Sequence, residues 1–71
     1  MGVYSIKEIS SMTGMTESVL RTYLGHYSFD KYYKGGKIEV SKDFYNTLLK
    51  YLRNKRSYKY ITNVERLLQN D

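Results

Sequence analysis

Apolar residues recur at helical spacing in four stretches of this chain and alternate in one. Ile6, Ile9 and Met12 repeat every third residue, as one face of a helix requires. Ser5-Ile6-Lys7-Glu8 precedes and overlaps them in the form of a capping box, with Tyr4 and Ile9 at the places of a hydrophobic staple. Gly14 predicts the end of this first helix, giving residues 6–13. Thr16 is the next N-cap candidate, with Met15 and Leu20 as its staple. A second helix over about 17–24 then places Val19, Leu20, Tyr23 and Leu24 on one face and Glu17, Ser18, Arg21 and Thr22 on the other. Gly25 is expected to end it in a left-handed conformation.

From about His26 to Val40 the pattern is non-helical, and over about 32–40 it reads as a hairpin. Gly35-Gly36 supplies the positive φ angles of a two-residue turn, flanked by Tyr32-Tyr33-Lys34 and Lys37-Ile38-Glu39-Val40. That turn pairs Lys34 with Lys37 and Tyr33 with Ile38, and puts Ile38 and Val40 on one face. Ser41 caps a third helix over about 42–54, with Phe44, Tyr45, Leu48, Leu49, Tyr51 and Leu52 as its apolar face. The stretch Arg53 to Ser57 breaks the pattern. Thr62-Asn63-Val64-Glu65 then has the form of a capping box, predicting a short fourth helix over about 63–69 with Val64, Leu67 and Leu68 inward. The expected fold is mainly α with a small β-hairpin, in one domain over residues 1–71.

Charge adds a partner class. Twelve Lys and Arg against seven Asp and Glu leave +5. This favours nucleic acid first, and an anionic membrane or acidic protein second. The longest uncharged stretch, Ile9 to Thr16, is rich in Ser, Thr and Gly and falls far short of the ~20 apolar residues of a membrane span. Nothing resembles a signal peptide, so a cytoplasmic protein without membrane contact is expected. With no cysteine and the single histidine His26, neither a metal site nor a cofactor is expected. No nucleophile, paired-carboxylate or phosphate-loop motif is present, and Gly35-Gly36 lacks the P-loop context, so the chain is not read as an enzyme.

Two short helices joined at a glycine form a helix-turn-helix. The polar face of the second helix, Thr16, Glu17, Ser18, Arg21 and Thr22, suits a major groove, where arginine pairs with guanine or clamps a phosphate. The hairpin adds Tyr33, Lys34, Gly35, Gly36 and Lys37, glycines allowing close backbone approach and lysines neutralising charge. Lys50, Arg53, Lys55, Arg56 and Lys59 form the densest basic stretch and are further phosphate candidates. Plainer readings stand beside these. Arg21 has Glu17 as an i,i+4 partner, the hairpin lysines protect an edge, cations suit a helix C-terminus, and Tyr33 fits a core equally well.

Tyr4-Ser5-Ile6-Lys7-Glu8-Ile9, Thr13-Gly14-Met15-Thr16, Leu20-Arg21-Thr22-Tyr23 and Gly36 to Phe44 occur in that order. They resemble the DNA-binding domain of MerR regulators, and the hairpin segment is also similar to small phage and transposon excisionases. The resemblance implies a winged helix-turn-helix: helix-turn-helix, two-stranded wing, third helix and short fourth helix. It implies sequence-specific binding of double-stranded DNA, by a small transcriptional regulator or an excisionase-type architectural factor. Thr22 stands where the family has tyrosine, and Ile38 where its wing has arginine, so Lys37 or Lys34 would carry that contact. No coiled-coil helix follows the fourth helix in these residues, so ligand-gated promoter untwisting is not expected. Adjacent copies associating on DNA, and an integrase or other acidic protein, are the further partners implied. The setting implied is bacterial or phage-encoded and nucleoid-associated. A protein-interaction module docking on an acidic partner, and RNA binding, are the alternative readings.

Overall fold

The fold is that of a computed structural model, described over residues 2–70. Helix α1 (Ile6–Thr13) opens on a complete capping box: the Glu8 N–H donates to the Ser5 hydroxyl (3.1 Å) and the Ser5 N–H to the Glu8 carboxylate (2.9 Å). It closes at Gly14, whose φ of +77° lies in the left-handed region. Helix α2 (Glu17–Leu24) opens at Thr16, whose hydroxyl accepts from the Val19 N–H (3.2 Å). Gly25 ends it at the expected place but not in the left-handed conformation: its φ is −73°, and His26 donates to the Tyr23 carbonyl (3.1 Å). A Cβ on Gly25 would lie 3.2 Å from the Arg21 carbonyl, so close approach rather than handedness suits glycine here.

The stretch expected to be non-helical begins with a 3₁₀ helix over Tyr27–Tyr32. Its period of three brings Phe29 and Tyr32 to one side, where both are buried. Tyr32 thus belongs to the core, and the hairpin is shorter than 32–40. Strand β2 (Tyr33–Lys34) pairs with β3 (Lys37–Val40) in the register Tyr33–Ile38 and Lys34–Lys37. Gly35 (φ 58°) and Gly36 (φ 84°) make the turn. The sheet has a third strand, β1 (Gly2–Tyr4), which pairs antiparallel with β3 and puts β3 in the centre. Nothing in the short run Gly2-Val3-Tyr4 marks a strand until β3 offers its free edge.

Helix α3 (Lys42–Asn54) is capped by Ser41, whose hydroxyl accepts from the Phe44 N–H (3.3 Å). It ends in a Schellman motif: Ser57 donates to the Leu52 carbonyl (2.9 Å), Arg56 to that of Arg53 (3.1 Å), and Arg56 itself has a φ of 57°. Helix α4 (Tyr58–Asn70) begins at once, five residues before the expected 63. Thr62 and Asn63 are inside it, so the Thr62 capping box does not start a helix. The stripe Tyr60, Ile61, Val64, Leu67, Leu68 packs on the core and carries the helix back to residue 58.

The core draws on every element except β2. Phe29, Phe44, Leu20, Leu48, Leu52 and Val64 are fully buried. Phe44 packs edge-on against Tyr32 (5.3 Å) and Phe29 (6.0 Å). No helix of the described residues is long and apolar enough to cross a membrane.

Candidate nucleic-acid interface

Helix α2 divides as its sequence requires. Leu20 and Leu24 are buried, while Ser18, Arg21 and Thr22 are exposed and Glu17 half-exposed. The Arg21 guanidinium lies 3.4 Å from the Glu17 carboxylate, and both are solvated, the Arg21 side chain 62% exposed. Such an exposed i,i+4 pair is worth ~0.3–0.5 kcal/mol. A bidentate arginine–guanine contact is worth ~1–3 kcal/mol of discrimination, so Arg21 is readily re-aimed. Thr22 is less free, because its hydroxyl donates to the Ser18 carbonyl of the same helix (3.1 Å). The Thr16 hydroxyl accepts at the cap and keeps its proton for an outside acceptor. The Ser18 hydroxyl has no partner among the described residues.

The hairpin carries Lys34, Gly35, Gly36 and Lys37, all exposed. A Cβ on either glycine would meet nothing within 4 Å, so the tip is bare backbone. Neither lysine is ion-paired among the described residues. Lys37 faces the start of α1, where hydrogen bonds from Ser5 hold the Glu8 carboxyl below its usual range and the Lys37 charge adds a smaller pull. Tyr33 ties this arm to α2: its hydroxyl donates to the Leu24 carbonyl (3.3 Å), a C-terminal carbonyl the helix leaves open.

The third basic group sits at the α3–α4 corner. The hydroxyls of Tyr23 on α2 and Ser57 at the corner are 2.6 Å apart, which links the segment bearing Lys55 and Arg56 to α2. The Lys55 ammonium lies 5.6 Å above the Tyr51 ring, and that of Lys59 4.9 Å above Tyr60. Arg53 is engaged otherwise, its guanidinium 3.1 Å from the Glu65 carboxylate of α4. Of the basic stretch it is the residue with an ion pair; Lys50, Lys55, Arg56 and Lys59 are exposed without one among the described residues.

Two features lie outside what the sequence signals. One is an open groove of about 1120 Å³ between the 3₁₀ helix and α3, with His26, Tyr27 and Tyr51 in its wall. The other is Asn63, whose amide reaches the α1–α2 turn. Both depend on long-range packing, and only the three-residue spacing of Phe29 and Tyr32 could have hinted at the groove's first wall. Among the described residues no group of three or more metal-ligating side chains is gathered. Comparison with family models, with curated proteins and with solved structures finds no match.

Proposed function

We propose that this chain is a winged helix-turn-helix module of the MerR and excisionase kind that binds double-stranded DNA sequence-specifically. It would serve as a small transcriptional regulator or an excisionase-type architectural factor. The observation that carries this reading is the double tether of α2. Tyr33 ties its C-terminal end to the lysine-glycine hairpin, and Tyr23 ties it to the basic α3–α4 corner. A helix with an open polar face is thereby flanked by two basic arms, the layout of a major-groove reader with phosphate contacts on either side. In this reading Arg21 and Ser18 address base edges. Thr16, Lys34, Lys37, Lys55 and Arg56 hold phosphates. The glycine tip lets backbone approach a strand closely.

The test is repeated selection of the full chain on a random duplex library, followed by a salt titration of the winning site. One enriched motif is expected, with affinity falling steeply as salt rises. No enrichment, together with duplex binding indifferent to Arg21→Ala, would overturn the reading.

A further inference from the structure

The groove between the 3₁₀ helix and α3 is built differently from the surfaces just described. Its wall is a stack of rings. Tyr27 is 78% exposed and lies on His26, centroids 4.3 Å apart at 33°. His26 in turn packs against Tyr51 of α3 (5.2 Å). The stack is fixed from below, since the Nδ1 of His26 accepts the Ser28 N–H (3.2 Å) and Tyr51 is edge-on to Phe29 in the core (5.9 Å). Covering the ring of Tyr27 with another flat apolar group removes it from water at little ordering cost, because the ring already has a backing.

The charges of the groove narrow the class of that group. Lys31 stands beside Asp43 (3.5 Å) and Arg53 beside Glu65 (3.1 Å), solvated pairs in which a carboxylate offsets each cation's charge. Lys50 is the cation of this wall without an ion pair among the described residues. Asn54 stands one turn on from Lys50 along α3, and Asp30 of the 3₁₀ helix also lines the groove. One free cation beside an exposed ring fits one phosphate per aromatic group. A polyacidic peptide would meet Asp30 with no surplus of cations to offset it. A carboxylate and an amide are also the groups that bond the amino and carbonyl edges of a base.

We infer that this groove binds a nucleotide unit, the base stacked on Tyr27 and its phosphate on Lys50. Two sources carry that chemistry: a free mononucleotide, and an unpaired nucleotide within a strand. Binding here is independent of the duplex reading of α2, because the groove uses none of the α2 outer-face residues.

The test is a titration of the isotope-labelled full chain, followed by amide resonances, with three probes: adenosine monophosphate, a six-nucleotide deoxyadenylate strand and an acidic glutamate-tyrosine peptide. Shifts at residues 26–28 and 50–54 are expected with the nucleotide probes. Equal responses to the first two assign a free nucleotide, and a much stronger response to the strand assigns an unpaired nucleotide. Tyr27→Ala and Lys50→Glu, both exposed, should each weaken binding about ten-fold, the order of one lost stack or phosphate contact. Arg21→Ala should leave it unchanged, whatever it does to duplex binding. The inference falls if nucleotide shifts are confined to α2 and the hairpin, if Tyr27→Ala binds as the parent does, or if only the peptide fills the groove.

Discussion

The side-chain amide of Asn63 donates to the carbonyl of Thr13 at 3.0 Å, across 50 positions of sequence. Thr13 is the last residue of α1, and its carbonyl is one the helix leaves without a partner. Helix α4 therefore caps α1 from outside. The same amide stands 3.1 Å from where a Cβ on Gly14 would lie. The turn between α1 and α2 is thus set by φ at Gly14 and held by α4.

Asn63→Ala should destabilise the chain by about 1 kcal/mol, because it removes a half-buried hydrogen bond and leaves the Thr13 carbonyl open. In a domain of this size that is a fall of roughly 4–8 °C in the melting midpoint. Gly14→Ala should cost at least as much, since it adds left-handed strain to a tight contact. An Asn63→Ala variant that melts with the parent protein would refute the capping role.

Arg56 pays a conformational cost at φ 57° to close the Schellman motif of α3. Arg56→Gly should relieve it and raise stability by a few tenths to ~1 kcal/mol, less than the full strain because glycine loses more chain entropy. The urea midpoint should rise with unchanged slope. If Arg56 also holds a phosphate, duplex affinity should fall in the same variant, so stability and binding would move in opposite directions.

The arms of the proposed DNA grip should fail in different ways. Arg21→Ala should flatten the preference at one base pair by ~1–3 kcal/mol. Lys34→Ala and Lys37→Ala should weaken all duplexes alike and each lower the salt slope by about one. Competition assays with single-mismatch duplexes over a salt series would separate the two. A uniform loss for Arg21→Ala would move that residue to the backbone contacts.

Tyr32 and Asp43 predict an acid-sensitive contact. The Tyr32 hydroxyl lies 2.5 Å from the Asp43 carboxylate and 2.7 Å from the Thr47 hydroxyl. Its single proton goes to the carboxylate, so Thr47 donates to the phenol oxygen. This bond, with a smaller contribution from Lys31, holds the Asp43 carboxyl below the usual aspartate range. A depressed folded pKa stabilises above the unfolded value and the gain is lost as pH falls through the folded one. The stability advantage of the parent over Asp43→Asn should therefore be constant at neutral pH and shrink below about pH 4. Tyr32→Phe should cost about 1 kcal/mol near neutrality and abolish most of that acid dependence. An Asp43→Asn difference that persists undiminished to pH 2 would contradict it.

Much of the secondary structure is legible because it is decided locally. Ser5, Thr16 and Ser41 each offer a hydroxyl to the backbone N–H three positions on, and helices follow each of them. The Gly35-Gly36 turn is likewise local, for only glycine takes two positive φ values without strain. Where local signals compete, the sequence misleads. Thr62-Asn63-Val64-Glu65 has the form of a capping box, yet burial of Tyr60 and Ile61 against the core extends α4 back past it. Gly25 does stop α2, but with a right-handed backbone in place of the left-handed one a terminal glycine suggests.

By itself the sequence determined three helix starts, the hairpin register and which face of each helix is apolar, because caps, turns and periodicity act over a few residues. Only the tertiary structure decided that Gly2–Tyr4 would complete a sheet, that Tyr27–Tyr32 would wind into a 3₁₀ helix, and that Asn63 would close α1. It also decided which cations stand beside a carboxylate: Arg53 beside Glu65 and Lys31 beside Asp43, while Lys34, Lys37 and Lys50 are not ion-paired among the described residues. These outcomes rest on contacts between residues far apart in the chain, which exist only once the core around Phe29 and Phe44 has formed.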